Sequence, residues 1–371
     1  MRLFYLILPR VNAMRYVIVG AGAIGGTLAS RLAQHGGTPP LVIARGDNAE
    51  AIRAHGLLLR SPDDEVRVDA PVATRPAEAE LTTGDVLVFA TKTHQLQSAL
   101  TDWVDQPVRD AAGSVVGTAG ELLPVLTALN GVEAERLALR YFRRVFGVCV
   151  WLPAVHLAPG EFTVRIAPVS GMFIVGRYGE ANGETDDLDR LDPAAARDAE
   201  LLETVRAEWE RATFRVHVVD EVMPWKFRKL ISNLGNAIQA LMGSSGEASA
   251  DIERELHTRA RDEGLAVYAA AGIGIPSDDE EELWRGGVFN VRPVPGIDGP
   301  LGGSTWQSLA RGSGSIETDY LNGEIVRLAR VAGVPAPINE ALQRLARQAA
   351  AQRRAPASVT PSELKRILLG G

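Results

Sequence analysis

From residue 14 to about residue 219, short apolar runs rich in Val and Ile alternate with helical patterns; from residue 220 onward the alternation gives way to helices alone. The runs at 16–19, 41–44, 86–90, 125–129 and 145–151 have the length and turn-residue boundaries of buried strands. Strands interleaved with helices in this way form a parallel sheet covered by those helices. Two further runs, 161–167 and 172–177, are separated by Pro168 and Gly171 and are expected to extend the sheet in the antiparallel sense. An acidic loop at 180–192 leads into a helix near 194–211, and the run 214–219 closes this first part. Beyond Asp220, helical spacing covers 224–242, 252–271, 304–309, 315–332 and 339–351, with a short helix near 361–368. The stretch 286–303 is rich in Gly and Pro and too broken to be core; loops of that length are often functional.

The first strand runs directly into Gly20-Ala21-Gly22-Ala23-Ile24-Gly25-Gly26 and then into a helical pattern. In that context G-x-G-x-x-G is a dinucleotide site: Gly20 allows the tight turn, Gly22 lets backbone approach a pyrophosphate, and Gly25 lets helix pack on strand. Ala23 and Ile24 open the helix whose N-terminal N–H groups would face the phosphates. The end of the second strand selects the cofactor. No acidic residue stands there, and Arg45 offers a planar, always-charged partner for a 2′-phosphate, so NADP(H) is expected; Asp47, two residues later, is the competing reader of a plain ribose. The expected fold is α/β, with an N-terminal Rossmann-like doubly wound sheet at 14–219, an all-helical C-terminal domain at 220–351 and a tail at 352–371. Residues 1–13 are set apart as an N-terminal extension, because Met14 stands where such a chain usually begins. Their apolar run at 3–8 is short for a signal peptide, and no A-x-A site follows.

Composition narrows the partners. The 371 residues carry a net charge of -7, with arginines scattered rather than clustered, which argues against a nucleic-acid partner. One cysteine, Cys149, lies in an apolar run, so no intramolecular disulfide can form and a cytoplasmic setting is expected. The six histidines show no metal-ligand spacing, so no metal is expected. No apolar run approaches the length of about eighteen residues needed to span a membrane. A homodimer stays open.

Over 224–242 a helix turning about 100° per residue puts Lys229, Asn233 and Asn236 within roughly 60° of one another. Leu230, Leu234, Ala237 and Leu241 form a separate apolar stripe that would anchor the helix. Asparagine is a poor helix former, so a lysine and two asparagines on one face suit a cleft wall, while a plain solvated face is the competing reading. In the next candidate helix, Glu317 shares the face of Leu321, Ile325, Leu328 and Ala332 and should point inward, where it needs a partner such as a cleft lysine. A capping glutamate or a structural ion pair is the alternative there. Ser304, at a helix start, is either an N-cap or a ligand for a substrate carboxylate. Lys92 and Asn130 follow strand ends, at the edge where doubly wound sheets bind ligands.

This ordered set resembles the ketopantoate reductase (2-dehydropantoate 2-reductase) family over most of the chain, from Met14 to about Arg347. The resemblance rests on the glycine turn with Arg45, the Ala90-Thr91-Lys92 strand end, Asn130-Gly131, Lys229 with Asn233, Ser304, and Glu317 through Gly323. It implies reduction of a small-molecule 2-keto acid by NADPH in a cleft between the two parts. Carried over residue by residue, it gives Lys229 as general acid and Glu317 as its orienting carboxylate. Asn233, Asn236 and Ser304 would bind substrate, and Gly20, Gly22, Ala23, Ile24, Gly25, Arg45, Lys92 and Asn130 would bind cofactor. Asn236 follows Asn233 by three residues rather than the family's four, Ser304 and Glu317 are one residue further apart, and Leu129 replaces a glutamine. A related branched 2-keto acid therefore fits as well as ketopantoate. Two further readings accompany this one: a hydroxyacid dehydrogenase using the same lysine on a different substrate, and a non-catalytic NADPH-binding sensor.

Overall fold

The structure, a computed structural model, describes residues 14–179, 193–242, 247–297, 302–312 and 314–370. The 1–13 extension and the acidic loop at 180–192 lie outside the described residues. An eight-stranded sheet runs in the order Phe214–Val218, Gly171–Tyr178, Arg144–Trp151, Pro124–Thr127, Asp85–Phe89, Arg15–Val19, Leu41–Ile43, Val72–Ala73. The last six of these are parallel, while Gly171–Tyr178 is antiparallel to Arg144–Trp151 and carries Phe214–Val218 alongside it. Both faces are covered, which is why the strands read as continuous apolar runs. Along Arg15–Val19, Tyr16 and Ile18 enter the core on one face with Leu28, Phe146 and Trp209; Val17 and Val19 enter the other with Phe89, Leu100 and Trp103. The chain leaves Arg15–Val19 toward one edge and returns to Asp85–Phe89 on its other side. That crossing point is where an open sheet leaves a crevice for a ligand.

The doubly wound sheet expected from the alternation is present, with departures from the expectation in its details. The run at 161–167 does not extend the main sheet: Glu161–Val164 belongs to a separate four-stranded sheet, ordered Ala154–Ala158, Glu161–Val164, Leu57–Arg60, Glu65–Val68. This sheet packs on the Ala23–His35 helix, where Gly26 makes room for Phe162: a Cβ at Gly26 would sit 2.0 Å from the Phe162 ring. The edge strand Val72–Ala73 and a hairpin of Pro107–Arg109 and Val115–Thr118 are further elements that the apolar runs do not predict.

After residue 220 the described elements are helices, built on one apolar cluster that includes Leu230, Leu234, Ala237, Leu241, Leu256, Ile325, Leu342 and Leu364. Val132, from the sheet part, is buried in the same cluster. The expected single helix over 224–242 is two, Met223–Asn233 and Gly235–Met242, broken at Leu234. Gly235 and its asparagine neighbours are weak helix formers. Gly235 is also where the Glu247–Ala271 helix comes close, since a Cβ there would lie 2.3 Å from the His257 ring. The expected helix over 315–332 opens instead as a 3-10 turn, Glu317–Tyr320, before Asn322–Ala332. An additional helix, Asp278–Arg285, starts with a capping box between Ser277 and Glu280. The terminal helix is Pro361–Leu369.

Candidate active site

The glycine turn is held by contacts that only glycine permits. Gly20 has φ +108°, and a Cβ there would press at 3.0 Å on the Ala90 and Thr91 backbone of the neighbouring strand end. A Cβ at Gly25 would lie 2.1 Å from the Gly20 carbonyl oxygen and 3.1 Å from Ile18, so helix and strand meet there at backbone distance. Gly22 is different: a Cβ there meets no atom of the described residues within 4 Å. It therefore leaves open space at the helix start, a cradle that suits a pyrophosphate. The first intrahelical bond is donated by Gly26 N–H to the Gly22 carbonyl at 2.7 Å, which leaves the N–H groups of Ala23, Ile24 and Gly25 for a ligand. Asn48 holds the turn from outside, its amide donating to the Ala21 carbonyl at 2.8 Å and its oxygen accepting from Gly160 N–H at 2.7 Å. The sequence reading missed Asn48, and its position in the helix after the second strand is the only linear signal for it. Arg45 caps that same helix, Gly46–His55, with its side chain 74% exposed and a loose 3.5 Å contact to Asp102. An exposed pair of this kind contributes ~0–1 kcal/mol, so Asp102 holds the guanidinium only weakly.

Along the C-terminal edge of the sheet, Lys92 and Asn130 meet the helical part. Glu317 does not pair with Lys229 as expected. Its carboxylate accepts from Lys92 Nζ at 2.5 Å, from Thr93 N–H at 3.0 Å and from the Thr93 hydroxyl at 3.1 Å. It is thus buried as expected, but as the N-terminal anion of the Thr93–Val104 helix, which belongs to the sheet part. Burial alone would raise its pKa; the Lys92 charge and the Thr93 hydrogen bonds more than offset that and hold it below the usual carboxylate range. Lysine was the right partner type, but the position was wrong, because a helix face in sequence does not reveal which strand end it docks on.

Asn233 and Asn130 are brought together, the Asn233 amide lying 3.4 Å from Asn130 Oδ1. Asn236 is not beside them. The break at Leu234 turns it toward Gly303, where a Cβ would come 3.3 Å from Asn236 Oδ1, and Gln239 accepts from Gly303 N–H at 2.9 Å. Gly303, not Ser304, is the N-cap of Ser304–Ala310, so Ser304 stands one position inside that helix.

Lys229 is half-buried, with Nζ 5.4 Å from the centre of the Trp151 ring, at the end of the strand next to that of Asn130. Among the described residues no carboxylate is within ion-pair distance. Nearby Glu281 is taken by Arg228, at 2.6 Å, and by Arg285. Burial lowers the pKa of Lys229 to about 8. One turn earlier, Lys226 is fully buried and paired with Glu135, a lysine that the sequence reading passed over.

A lysine with a depressed pKa, two asparagines in contact across a seam and an open glycine cradle at a sheet's switch point form the set expected of a nicotinamide-dependent reductase. The sequence pattern described as "Ketopantoate reductase PanE/ApbA" matches residues 16–178, and its C-terminal counterpart matches 221–350. The chain belongs to the ketopantoate reductase family. The resemblance read from the sequence is thereby borne out. The 2-dehydropantoate 2-reductase of Mesorhizobium japonicum is 30% identical over 92% of this chain and 99% of that protein. That of Pyrococcus horikoshii is 25% identical over 88% and 94%. Among solved structures, a PanE/ApbA family ketopantoate reductase from Ralstonia eutropha JMP134 covers 92% of this chain and 100% of its own at 24% identity, with a TM-score of 0.68. A D-mandelate dehydrogenase with NADH and anilino(oxo)acetate covers the same shares at 20% identity, with a TM-score of 0.69. This ketopantoate reductase family member is an oxidoreductase of the class acting on CH–OH donors, with a nicotinamide cofactor. Among its described residues, no helix is long and apolar enough to cross a membrane.

Proposed function

We propose that the chain catalyses NADPH-dependent reduction of a 2-keto acid, ketopantoate or a related branched acid, to the 2-hydroxy acid, as a step of pantothenate biosynthesis. The observation that carries this reading is Lys229: an ammonium without a carboxylate partner among the described residues, held over Trp151 beside the Asn130–Asn233 contact, with a pKa near working pH. When bound, the nicotinamide supplies the hydride to the C2 carbonyl carbon. Gly20 to Gly25 would hold the pyrophosphate against the helix N-terminus, and Arg45 would take the 2′-phosphate and so favour NADPH over NADH. Lys229 polarises the C2 carbonyl oxygen and delivers its proton there as charge develops; a pKa of about 8 leaves it mostly protonated at neutral pH yet able to give the proton up. Asn233 and Asn130 would fix the acceptor and the nicotinamide side across the seam, and Ser304 the carboxylate. Glu317 would act by position: capping the Thr93–Val104 helix and pairing with Lys92, it holds the two parts together at the sheet edge.

The test is cofactor oxidation, followed by loss of nicotinamide absorbance, against a panel of 2-keto acids headed by ketopantoate, with NADPH and NADH in parallel. Turnover of ketopantoate with NADPH preferred is the expected result. Turnover of another acid only would replace the substrate and keep the chemistry. Tight NADPH binding with no turnover of any acid would replace the enzyme reading with the sensor.

A further inference from the structure

Lys226 and Glu135 form an ion pair with side chains 2% and 0% exposed, at the junction of the two parts. The same Glu135 oxygen lies 2.6 Å from the Thr127 hydroxyl, which is also 3.1 Å from the Phe146 carbonyl; the other Glu135 oxygen is buried with no hydrogen-bond partner among the described residues. Gly147 makes room for this arrangement, since a Cβ there would come 2.6 Å from Val222 and 3.3 Å from the Glu135 side chain. The positions of these groups along the chain are informative. Thr127 and Glu135 bracket Asn130 on either side of its loop. Lys226, Lys229 and Asn233 occupy one face of the Met223–Asn233 helix, within roughly 60° of each other. The helix is therefore fastened to the Asn130 loop at two points, Lys226 on Glu135 and Asn233 on Asn130, with Lys229 between them.

An ion pair this deep adds little stability over apolar side chains of the same size, because desolvation offsets the attraction, but it is directional where packing is not. We infer that Lys226 and Glu135 are positioning residues for the reaction, fixing the rotation and height of the helix so that the Lys229 ammonium and Asn233 meet the acceptor held against Asn130. This rests on the proposed role of Lys229. Trp151 lies against that ammonium, and Cys149, Glu281 and Arg285 act on it electrostatically, so a helix that rotates or lifts changes its environment as well as its reach.

The experiment uses the full chain and compares Lys226→Met, Glu135→Leu and the double variant K226M/E135L, with K229A as a control on the underlying reading. Each single variant leaves one buried charge or polar site uncompensated and should lower Tm, while the double should regain the parent Tm or exceed it. The restored double variant should still lose kcat by about tenfold or more, since a misplacement of about 1 Å can cost ~10²-fold. Its KM for NADPH should stay unchanged, and the alkaline limb of its kcat profile should move away from about pH 8. A double variant with parental kcat and an unmoved alkaline limb would make the pair purely structural and overturn the inference. Should the double fail to fold, E135D keeps the charge and retracts it by one methylene; reduced kcat in a folded E135D supports positioning, and unchanged kcat overturns it. Full activity in K229A would instead remove the reading of Lys229 itself, whatever the pair does.

Discussion

Between Val19 and Gly26 the chain builds its binding geometry from backbone alone, in consecutive residues; at the seam it assembles Lys92, Asn130, Lys229 and Glu317 from segments up to 225 residues apart. The first region works by what is missing, a set of absent Cβ atoms that let a strand, a helix and an open cradle meet. The second works by which charge finds which partner: Glu317 is satisfied three times over, Lys226 is paired, and Lys229 has no carboxylate partner among the described residues. Specificity of position at the turn is therefore tolerant of chemistry and intolerant of volume, and at the seam the reverse holds.

The most direct way to break this comparison is Lys229→Ala. Loss of a positioned general acid typically costs ~10²–10⁴-fold, so kcat for 2-keto acid reduction should fall by that much while NADPH affinity stays near parental; equal kcat in the two proteins would end the assignment. The same lysine sets the pH dependence. As the acid it must be protonated, so reduction should hold steady below about pH 8 and decline above it, a limb that K229A lacks.

At Arg45 the expected effect is smaller. Hydrogen bonds to charged groups contribute about 1.5–3 kcal/mol, so R45A should lose roughly 10–100-fold in the kcat/KM ratio of NADPH to NADH. Parallel kinetics with the two cofactors measure it, and an unchanged ratio would pass the role to another group. The turn is sharpened by a pair of single-methyl substitutions. G25A forces a carbon into the Gly20 carbonyl and should lower both Tm and cofactor affinity, with overpacking typically costing about 1–3 kcal/mol. G22A meets no atom of the described residues within 4 Å and should leave Tm within a degree or two of the parent, weakening only NADPH binding. Equal effects of the two on Tm would show that the cradle at Gly22 is not free.

The smallest effect concerns acid. Because the folded-state pKa of Glu317 is lowered, its carboxylate contributes stability that is fully present above the ordinary carboxylate pKa of about 4.3 and is lost as pH falls through the lower folded value. E317Q should be less stable than the parent at neutral pH, and the gap should narrow as the solution is acidified below about pH 4. A gap independent of pH, in thermal melts across that range, would mean that the charge on Glu317 plays no part.

What the sequence revealed follows the same division. The glycine turn and the parallel strands were legible because local spacing alone determines them, and Glu317 is buried as anticipated although it sits in a 3-10 turn ahead of the helix whose face predicted it. The partner of Glu317 was not, since nothing in the helix says which strand end it docks on. Asn236 was misplaced because a wheel drawn through 224–242 assumes an unbroken helix, and Gly235 breaks it to admit His257. Lys226 was passed over because its role depends on Glu135, which reads on its own as an ordinary surface glutamate.

The cap that Glu317 places on the Thr93–Val104 helix has a consequence for any attempt to divide the chain. A fragment ending before residue 220 would leave that helix start bare, with Lys92 unpaired and Val132 stripped of its surroundings, and a fragment beginning there would carry a buried acid with no ammonium to meet. Neither half is a ready-made building block for transplantation. Chimeras between relatives should cross over elsewhere, or carry Lys92, Thr93 and Glu317 from the same parent.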